Sequence, residues 1–294
     1  MLENLSTEKR NHDTMKLDDM STLEILRTMN REDETVPGAI AEKMEAIEQA
    51  VQAAIESFQA GGRLIYIGAG TSGRLGILDA VECVPTFGVS PELVKGFLAG
   101  GMDAFTMAKE GVEDNPDLGK QELEQASLTK NDTVIGIAAS GRTPYVIGAL
   151  QYAAEVGAKT VALSCNAGAK ISQYAQIAIE IETGPEILTG STRLKAGTAQ
   201  KLVLNMISTA SMIGVGKAYG NLMVDVQATN EKLIERSKRI IMDATQVDYE
   251  TAELYYQKAD RHVKTAIVMI LLECTKGEAI EKLEAADGFV RKAL

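Results

Sequence analysis

Apolar and polar residues alternate along the chain in blocks that predict helices and short buried strands in turn. Apolar side chains recur at steps of three and four over residues 40–58, which predicts one long amphipathic helix. Short apolar runs, each with the length and composition of a buried strand, then follow at 64–67, 93–98, 133–138, 160–163 and 176–181. The segments between these runs show the three- and four-residue apolar spacing of helices. This alternation predicts an α/β class, a doubly wound parallel sheet in a three-layer αβα domain.

The two ends of the chain differ from this central part. Residues 1–35 are polar and charged, and the capping-box spacing of Ser21 and Glu24 predicts one helix there. We expect an arm that packs on another element, such as a second subunit. Short helical patterns at 249–259, 262–274 and 278–294 predict a small C-terminal three-helix bundle. The expected division is an arm at 1–35, the α/β domain at 36–238 and the bundle at 239–294.

A strand, a glycine-rich loop and a helix follow one another between residues 63 and 88. Thr71 and Ser72 lie among Gly68, Gly70 and Gly73, and the helix is predicted to end at Pro85. Such a loop leaves backbone N–H groups unpaired at a helix N-terminus, where the helix dipole favours negative charge. The pattern therefore predicts a phosphate cradle.

The same arrangement recurs after the strand at 133–138. Ser140, Gly141 and Thr143 lie in a loop of small residues, and Pro144 occupies a first helical position. Loops at the carboxyl ends of parallel strands face a shared crevice. We therefore expect the two loops to hold one phosphate-bearing ligand, although small hydroxyl residues also suit ordinary turns and N-caps.

A dinucleotide-binding fold is the alternative explanation of the first loop. Its glycines fit G-x-G-x-x-G, but that fingerprint needs an acidic residue that closes the second strand. Glu92 lies at the right distance and precedes the next apolar run, so it does not fit. Nicotinamide or flavin binding is therefore the weaker hypothesis, and no cofactor is expected.

Composition narrows the function classes further. A net charge of −11 argues against nucleic-acid and anionic-membrane partners. With 2 histidines and 3 widely spaced cysteines, neither a His-based metal site nor a disulfide framework is expected. The longest apolar run, 266–272, is too short to span a membrane. These features favour a reduced, cytoplasmic protein that acts on a small molecule.

Several segments resemble the sugar isomerase (SIS) domain family and, within it, the N-acetylmuramic acid 6-phosphate etherases. The resemblance covers most of the chain, and its specific segments are Y-I-G-A-G-T-S-G-R-L-G-I-L-D-A-V-E-C-V-P-T-F-G at 66–88, E-D-N-P at 113–116, A-A-S-G-R-T-P-Y at 138–145, G-P-E-I-L-T-G-S-T-R-L-K-A-G-T-A-Q-K at 184–201 and Y-G-N-L-M-V-D-V at 219–226. SIS isomerases often carry S-x-S-G-x-T in the second loop. Here Ala138 replaces the first hydroxyl, so it is not a phosphate donor.

The resemblance implies a lyase reaction on a phosphosugar. The family cleaves the ether between the sugar 6-phosphate and its D-lactyl group during recycling of the cell-wall sugar. Its two catalytic glutamates correspond to Glu82, the acid, and Glu113, the base. Glu186 and Lys195 lie in a family-specific segment and are expected to line the site. A homodimer without metal or cofactor is implied; an aldose–ketose phosphate isomerase and a non-catalytic phosphosugar sensor remain alternatives.

Overall fold

The structure, a computed structural model, describes residues 5–107, 109, 111–228 and 230–294. Five parallel strands form one sheet in the order β2-β1-β3-β4-β5. Their bounds are β1 Leu64–Gly68, β2 Val94–Leu98, β3 Thr133–Ala138, β4 Lys159–Ser164 and β5 Ile177–Glu180. Each lies within two residues of its predicted range, so the parallel α/β prediction is confirmed.

Helices lie before, between and after these strands. Their bounds are α1 Thr22–Asp33, α2 Val36–Ala41, α3 Met44–Gln59, α4 Gly70–Phe87, α5 Asp103–Thr106, α6 Pro116–Gln125, α7 Pro144–Val156, α8 Lys195–Gly214, α9 Glu231–Thr245, α10 Tyr249–Lys258, α11 Val263–Leu271, α12 Lys276–Ala285 and α13 Val290–Ala293. Short 3₁₀ turns include Val112–Asp114. None of the helices in the described part of the chain combines the length and apolar character that a membrane span requires.

The central strands are buried along their whole length. Every residue of β1 and of β3 is buried, as expected of strands covered by helices on both faces of a parallel sheet. The two strands pair in register, with Gly68 opposite Ile137. Their carboxyl ends therefore lie side by side at one edge of the sheet, about 5 Å apart.

The chain forms two compact units. The first contains the described residues up to Ala80 together with Glu92–Ser208, and the second contains Val81–Pro91 and Thr209–Leu294. The sequence predicts a boundary at residue 238, whereas this division falls within α4 and α8. Periodicity alone gives no reason to divide a continuous helix, because one helix can pack its two ends into different cores.

The N-terminal arm packs against its own unit. The capping box predicted at Ser21 and Glu24 is present at the start of α1. Before that helix, Thr14 Oγ1 donates to the carbonyl of Ile187 over 2.9 Å, and Asn166 Nδ2 donates to Thr7 Oγ1 over 2.9 Å. The arm therefore packs on another element, as expected, and that element belongs to the same chain. A second subunit is the example of such an element that the sequence analysis names.

Three helices differ from their predicted bounds. The helix predicted over 40–58 is two helices, because residues 42 and 43 form a turn between α2 and α3. Pro85 lies inside α4, which ends at Phe87, since a proline in the last turn removes only one intrahelical bond. The predicted helix at 278–294 is α12 and α13, separated at Asp287 and Gly288, both with positive φ.

Candidate functional site

The predicted first phosphate loop is mostly the first turn of a helix. A single residue, Ala69, separates β1 from α4, and the Gly73 N–H donates to the Ala69 carbonyl over 3.3 Å. A Cβ at Gly73 would lie 2.3 Å from the Gly68 carbonyl oxygen, so only glycine allows the helix to begin this close to the strand. The first-turn N–H groups point to the sheet edge without intrahelical acceptors, as an anion site requires.

Ser72 is held by a residue that the sequence analysis did not single out. Its side chain is buried, and its Oγ donates to Gln200 Oε1 over 3.0 Å. Gln200 on α8 is also buried, and among the described residues its Nε2 has no partner. If this amide turned over, Nε2 would donate to Ser72 and leave the serine proton free for an anion.

The second loop supplies two hydroxyls at the start of α7. Ser140 is half-buried, and its Oγ accepts the Arg142 N–H over 3.3 Å, which leaves the hydroxyl proton able to donate elsewhere. Thr143 is the N-cap residue, but its side chain makes no capping bond. Gly141 has a φ of 69°, and a Cβ there would lie 2.4 Å from Ala169 Cβ. Glycine therefore allows the turn that presents both hydroxyls.

Glu186 and Lys195 lie in a buried cluster at the start of α8. Glu186 is fully buried and accepts the backbone N–H groups of Lys195 and Ala196, each over 3.0 Å. Burial raises the pKa of its carboxyl, against the opposing effect of these two bonds. Lys195 Nζ pairs with Glu32 over 2.6 Å. Glu186 therefore caps the start of α8, Lys195 links it to α1, and the place of both residues in a ligand site remains a prediction.

A buried carboxylate, Asp79, joins the first strand to two helices and was missed by the sequence analysis. It accepts hydrogen bonds from Tyr66 Oη over 2.8 Å, Asn205 Nδ2 over 2.7 Å and Ser208 Oγ over 3.1 Å. Burial raises its pKa, although the three donors favour the charged form. Asp79 lies seven residues after Ser72, on the same face of α4. The two residues connect α4 to α8 through polar contacts.

The two predicted catalytic glutamates are both exposed. Glu113 lies in the first unit, in the 3₁₀ turn that follows Gly111, a glycine with a φ of 77°. Glu82 lies on α4 in the part of that helix that belongs to the second unit. An exposed carboxylate is accessible to a ligand, so both positions are compatible with the predicted catalytic roles. Those roles remain predictions.

Comparison with known families identifies the class of fold and site. The SIS domain model matches residues 115–210, and the model of the glucokinase regulatory protein N-terminal SIS domain matches residues 46–154. Solved structures agree on the fold. Phosphoheptose isomerase from Francisella tularensis has a TM-score of 0.52 at 16% identity, covering 66% of this chain and 100% of that one. The enzyme from Neisseria gonorrhoeae has a TM-score of 0.51 at 17% identity, covering 65% and 98%. The chain is thus an SIS-domain protein.

Full-length relatives narrow this class. The N-acetylmuramic acid 6-phosphate etherase of Bacillus cytotoxicus is 68% identical over 294 residues, which is 100% of both chains. That of Bacillus cereus is 67% identical over the same full length. The chain belongs to the N-acetylmuramic acid 6-phosphate etherase family.

Proposed function

We propose that this chain cleaves the D-lactyl ether of N-acetylmuramic acid 6-phosphate, giving N-acetylglucosamine 6-phosphate and D-lactate. The likeness to etherases over the full length of both chains supports this function above all. The parallel sheet with two anion-compatible helix starts at one edge is consistent with a phosphosugar substrate. The reaction serves recycling of the cell-wall sugar, and we expect it to take place in the cytoplasm.

The phosphate is proposed to lie at the sheet edge shared by β1 and β3. The backbone N–H groups of Gly70, Thr71 and Ser72 belong to the first turn of α4, and Ser140 and Thr143 stand at the start of α7. Because β1 and β3 are neighbours, one dianion can receive donors from both helix starts. Gly73 and Gly141 have no side chain and so allow the backbone to approach the phosphate.

Acid–base chemistry by two carboxyl groups is sufficient for the cleavage. In the open-chain sugar the aldehyde acidifies the carbon-2 hydrogen, and Glu113 removes that proton. The electron pair left behind forms the carbon-2–carbon-3 double bond as the ether oxygen departs from carbon 3. Glu82 donates a proton to this oxygen, and D-lactate leaves. Water then adds its oxygen to carbon 3, carbon 2 takes a proton, and the saturated sugar phosphate is restored.

The proposal includes assembly. As the resemblance to SIS-domain proteins implies, we propose a homodimer in which the exposed Glu82 of each copy reaches the site of the other copy. Leu78 and Val81, 49% and 60% exposed on the same helix, are apolar positions that such an interface would cover.

An isotope experiment tests the mechanism directly. Turnover in heavy water should leave deuterium at carbon 2 of the product, and ¹⁸O-labelled water should place its oxygen at carbon 3 of the sugar. Direct displacement at carbon 3 also introduces solvent oxygen there, so the deuterium is the deciding label. A product that lacks deuterium at carbon 2 would rule out elimination. Absence of D-lactate release would contradict the proposed function itself.

Variants separate the two glutamates. Glu113→Gln should abolish both cleavage and solvent exchange at carbon 2, because an amide cannot act as the base. Glu82→Gln should slow departure of lactate more than proton removal, so exchange into unreacted substrate should survive. Losses of about 10²–10⁴-fold are expected for either. Asp114→Asn is the matched control, since Asp114 is the neighbouring exposed carboxylate. An equal loss in this control would argue against a specific role for Glu113.

A further inference from the structure

A cavity that the proposed reaction does not use lies within the second unit. It has a volume of about 430 Å³ and is lined by polar and charged residues as well as apolar ones. The lining residues that matter are Lys217, Asp225, Tyr256, Asp260, Arg261 and His262. All of them belong to the second unit.

Tyr256, one of the lining residues, carries an unsatisfied hydrogen-bonding group. Its side chain is fully buried, and its Oη has no hydrogen-bond partner among the described residues. A buried hydroxyl without a partner is costly, so such groups usually serve a ligand or an ordered water. A phenol can donate its proton to an acceptor that enters the cavity.

The charges around the cavity favour an acceptor that is negative. Asp225 is balanced by two lysines, Lys217 at 3.2 Å and Lys264 at 2.6 Å. Asp260 pairs with Lys276. In the described part of the chain, Arg261 has no carboxylate within ion-pairing distance. Lys217, Lys264, Lys276 and Arg261 together outnumber Asp225 and Asp260, so the cavity and the lysines paired with its carboxylates carry a positive excess.

The N-terminus of α11 adds further donors to the same place. His262 is its N-cap residue and Val263 its first residue, and both line the cavity. Within the described residues, no side chain caps this nine-residue helix. Its first-turn N–H groups and its dipole therefore favour an anion at the cavity. The helix start gains its meaning from Tyr256, a residue that lines the same cavity and whose buried hydroxyl has no partner among the described residues.

We propose that this cavity binds a small oxyanion, the phosphate or carboxylate group of a metabolite. Arg261 supplies the charge, the start of α11 supplies backbone donors, and Tyr256 Oη donates a hydrogen bond from the buried side. The site is separate from the phosphate cradle of the first unit in its residues. It can therefore respond to a ligand other than the substrate.

The histidine content of the chain offers a direct measurement. The chain contains 2 histidines, His12 in the first unit and His262 in the cavity. Protein labelled with ¹³C in the histidine rings gives two resonances, which are titrated with sodium phosphate and, separately, sodium acetate at constant ionic strength. A saturable shift of the His262 resonance with His12 unchanged is expected with at least one anion. Movement with acetate assigns a carboxylate, and movement with phosphate alone assigns a phosphate.

Variants make the proposal falsifiable. Arg261→Gln and Tyr256→Phe should each weaken binding of the anion by about tenfold or more, because each removes a hydrogen-bond donor to a charged group. Tyr256→Phe should fold normally, since the hydroxyl has no partner to lose; circular dichroism checks this. Arg236→Gln, an exposed arginine of α9 outside the cavity, is the control and should bind as the wild type does.

Two results would overturn the oxyanion site. One is a His262 resonance that does not move with either anion, or moves without saturating. The other is saturable binding that Ser140→Ala abolishes while Arg261→Gln and Tyr256→Phe leave it unchanged, which would place the anion in the first unit. Neither result bears on the D-lactate assay, so the proposed function is tested independently.

Discussion

Gln200 provides a sharp test of how Ser72 meets the substrate phosphate. The two side chains share a hydrogen bond of 3.0 Å and are 1% and 7% exposed, so water does not replace the lost partner easily. If the Gln200 amide donates to Ser72 in the complex, the serine proton is directed to the phosphate. Gln200→Leu removes this orientation while filling nearly the same volume.

The expected magnitudes follow from the kind of bond lost. A hydrogen bond to a charged group is worth about 1.5–3 kcal/mol, so Ser72→Ala should raise KM for the phosphorylated sugar about 10- to 150-fold. Gln200→Leu retains the hydroxyl but not its orientation, and about 1 kcal/mol, or roughly fivefold in KM, is expected. The double variant should resemble Ser72→Ala alone, since Gln200 acts through Ser72.

Gln200→Glu separates orientation from simple packing. A carboxylate accepts the Ser72 proton permanently and repels the phosphate, so KM should rise further than in Gln200→Leu, with kcat less affected. The assay is D-lactate release at varied substrate, and Gln151→Leu on the exposed face of α7 is the control. An unchanged KM in both Gln200 variants, or a double variant whose KM effects multiply, would refute the reasoning.

Two further predictions concern stability and assembly. Asp79→Ala should lower the free energy of unfolding by about 3 kcal/mol, because two buried donors, Tyr66 and Ser208, and the exposed Asn205 amide lose their acceptor. Burial raises the pKa of Asp79, so the carboxyl contributes most to the free energy of unfolding below the unfolded pKa of about 3.9, and this contribution falls as pH rises through the folded pKa. Urea unfolding at several pH values should show that Asp79→Asn lacks this pH dependence of the free energy of unfolding. Mixed and refolded Glu82→Gln and Glu113→Gln chains should recover about a quarter of wild-type activity, because half of the dimers hold one intact site of two. No recovery, or a 31.5 kDa monomer by light scattering, would contradict the shared site.

The strands and both helix starts could be predicted because their signals are local. A run such as 133–138 is apolar throughout, and glycine and proline mark its ends. Asp79 and Gln200 could not be found in this way. Asp79 accepts from residues 126 and 129 positions away, and Gln200 meets Ser72 from 128 positions away. Their partners become neighbours only once α8 packs on α4. The break between α2 and α3 was missed for a related reason, since a short turn preserves the apolar stripe.

The single residue between β1 and α4 has a consequence for the thermodynamics of ligand capture. A longer glycine-rich segment must be ordered when it closes over an anion, and that loss of conformational entropy weakens affinity. Here the donors of the first turn are fixed by the contact between Gly73 and Gly68 before any ligand arrives. Calorimetry should therefore show little entropic penalty from this segment. Any motion that admits the sugar must come from other elements.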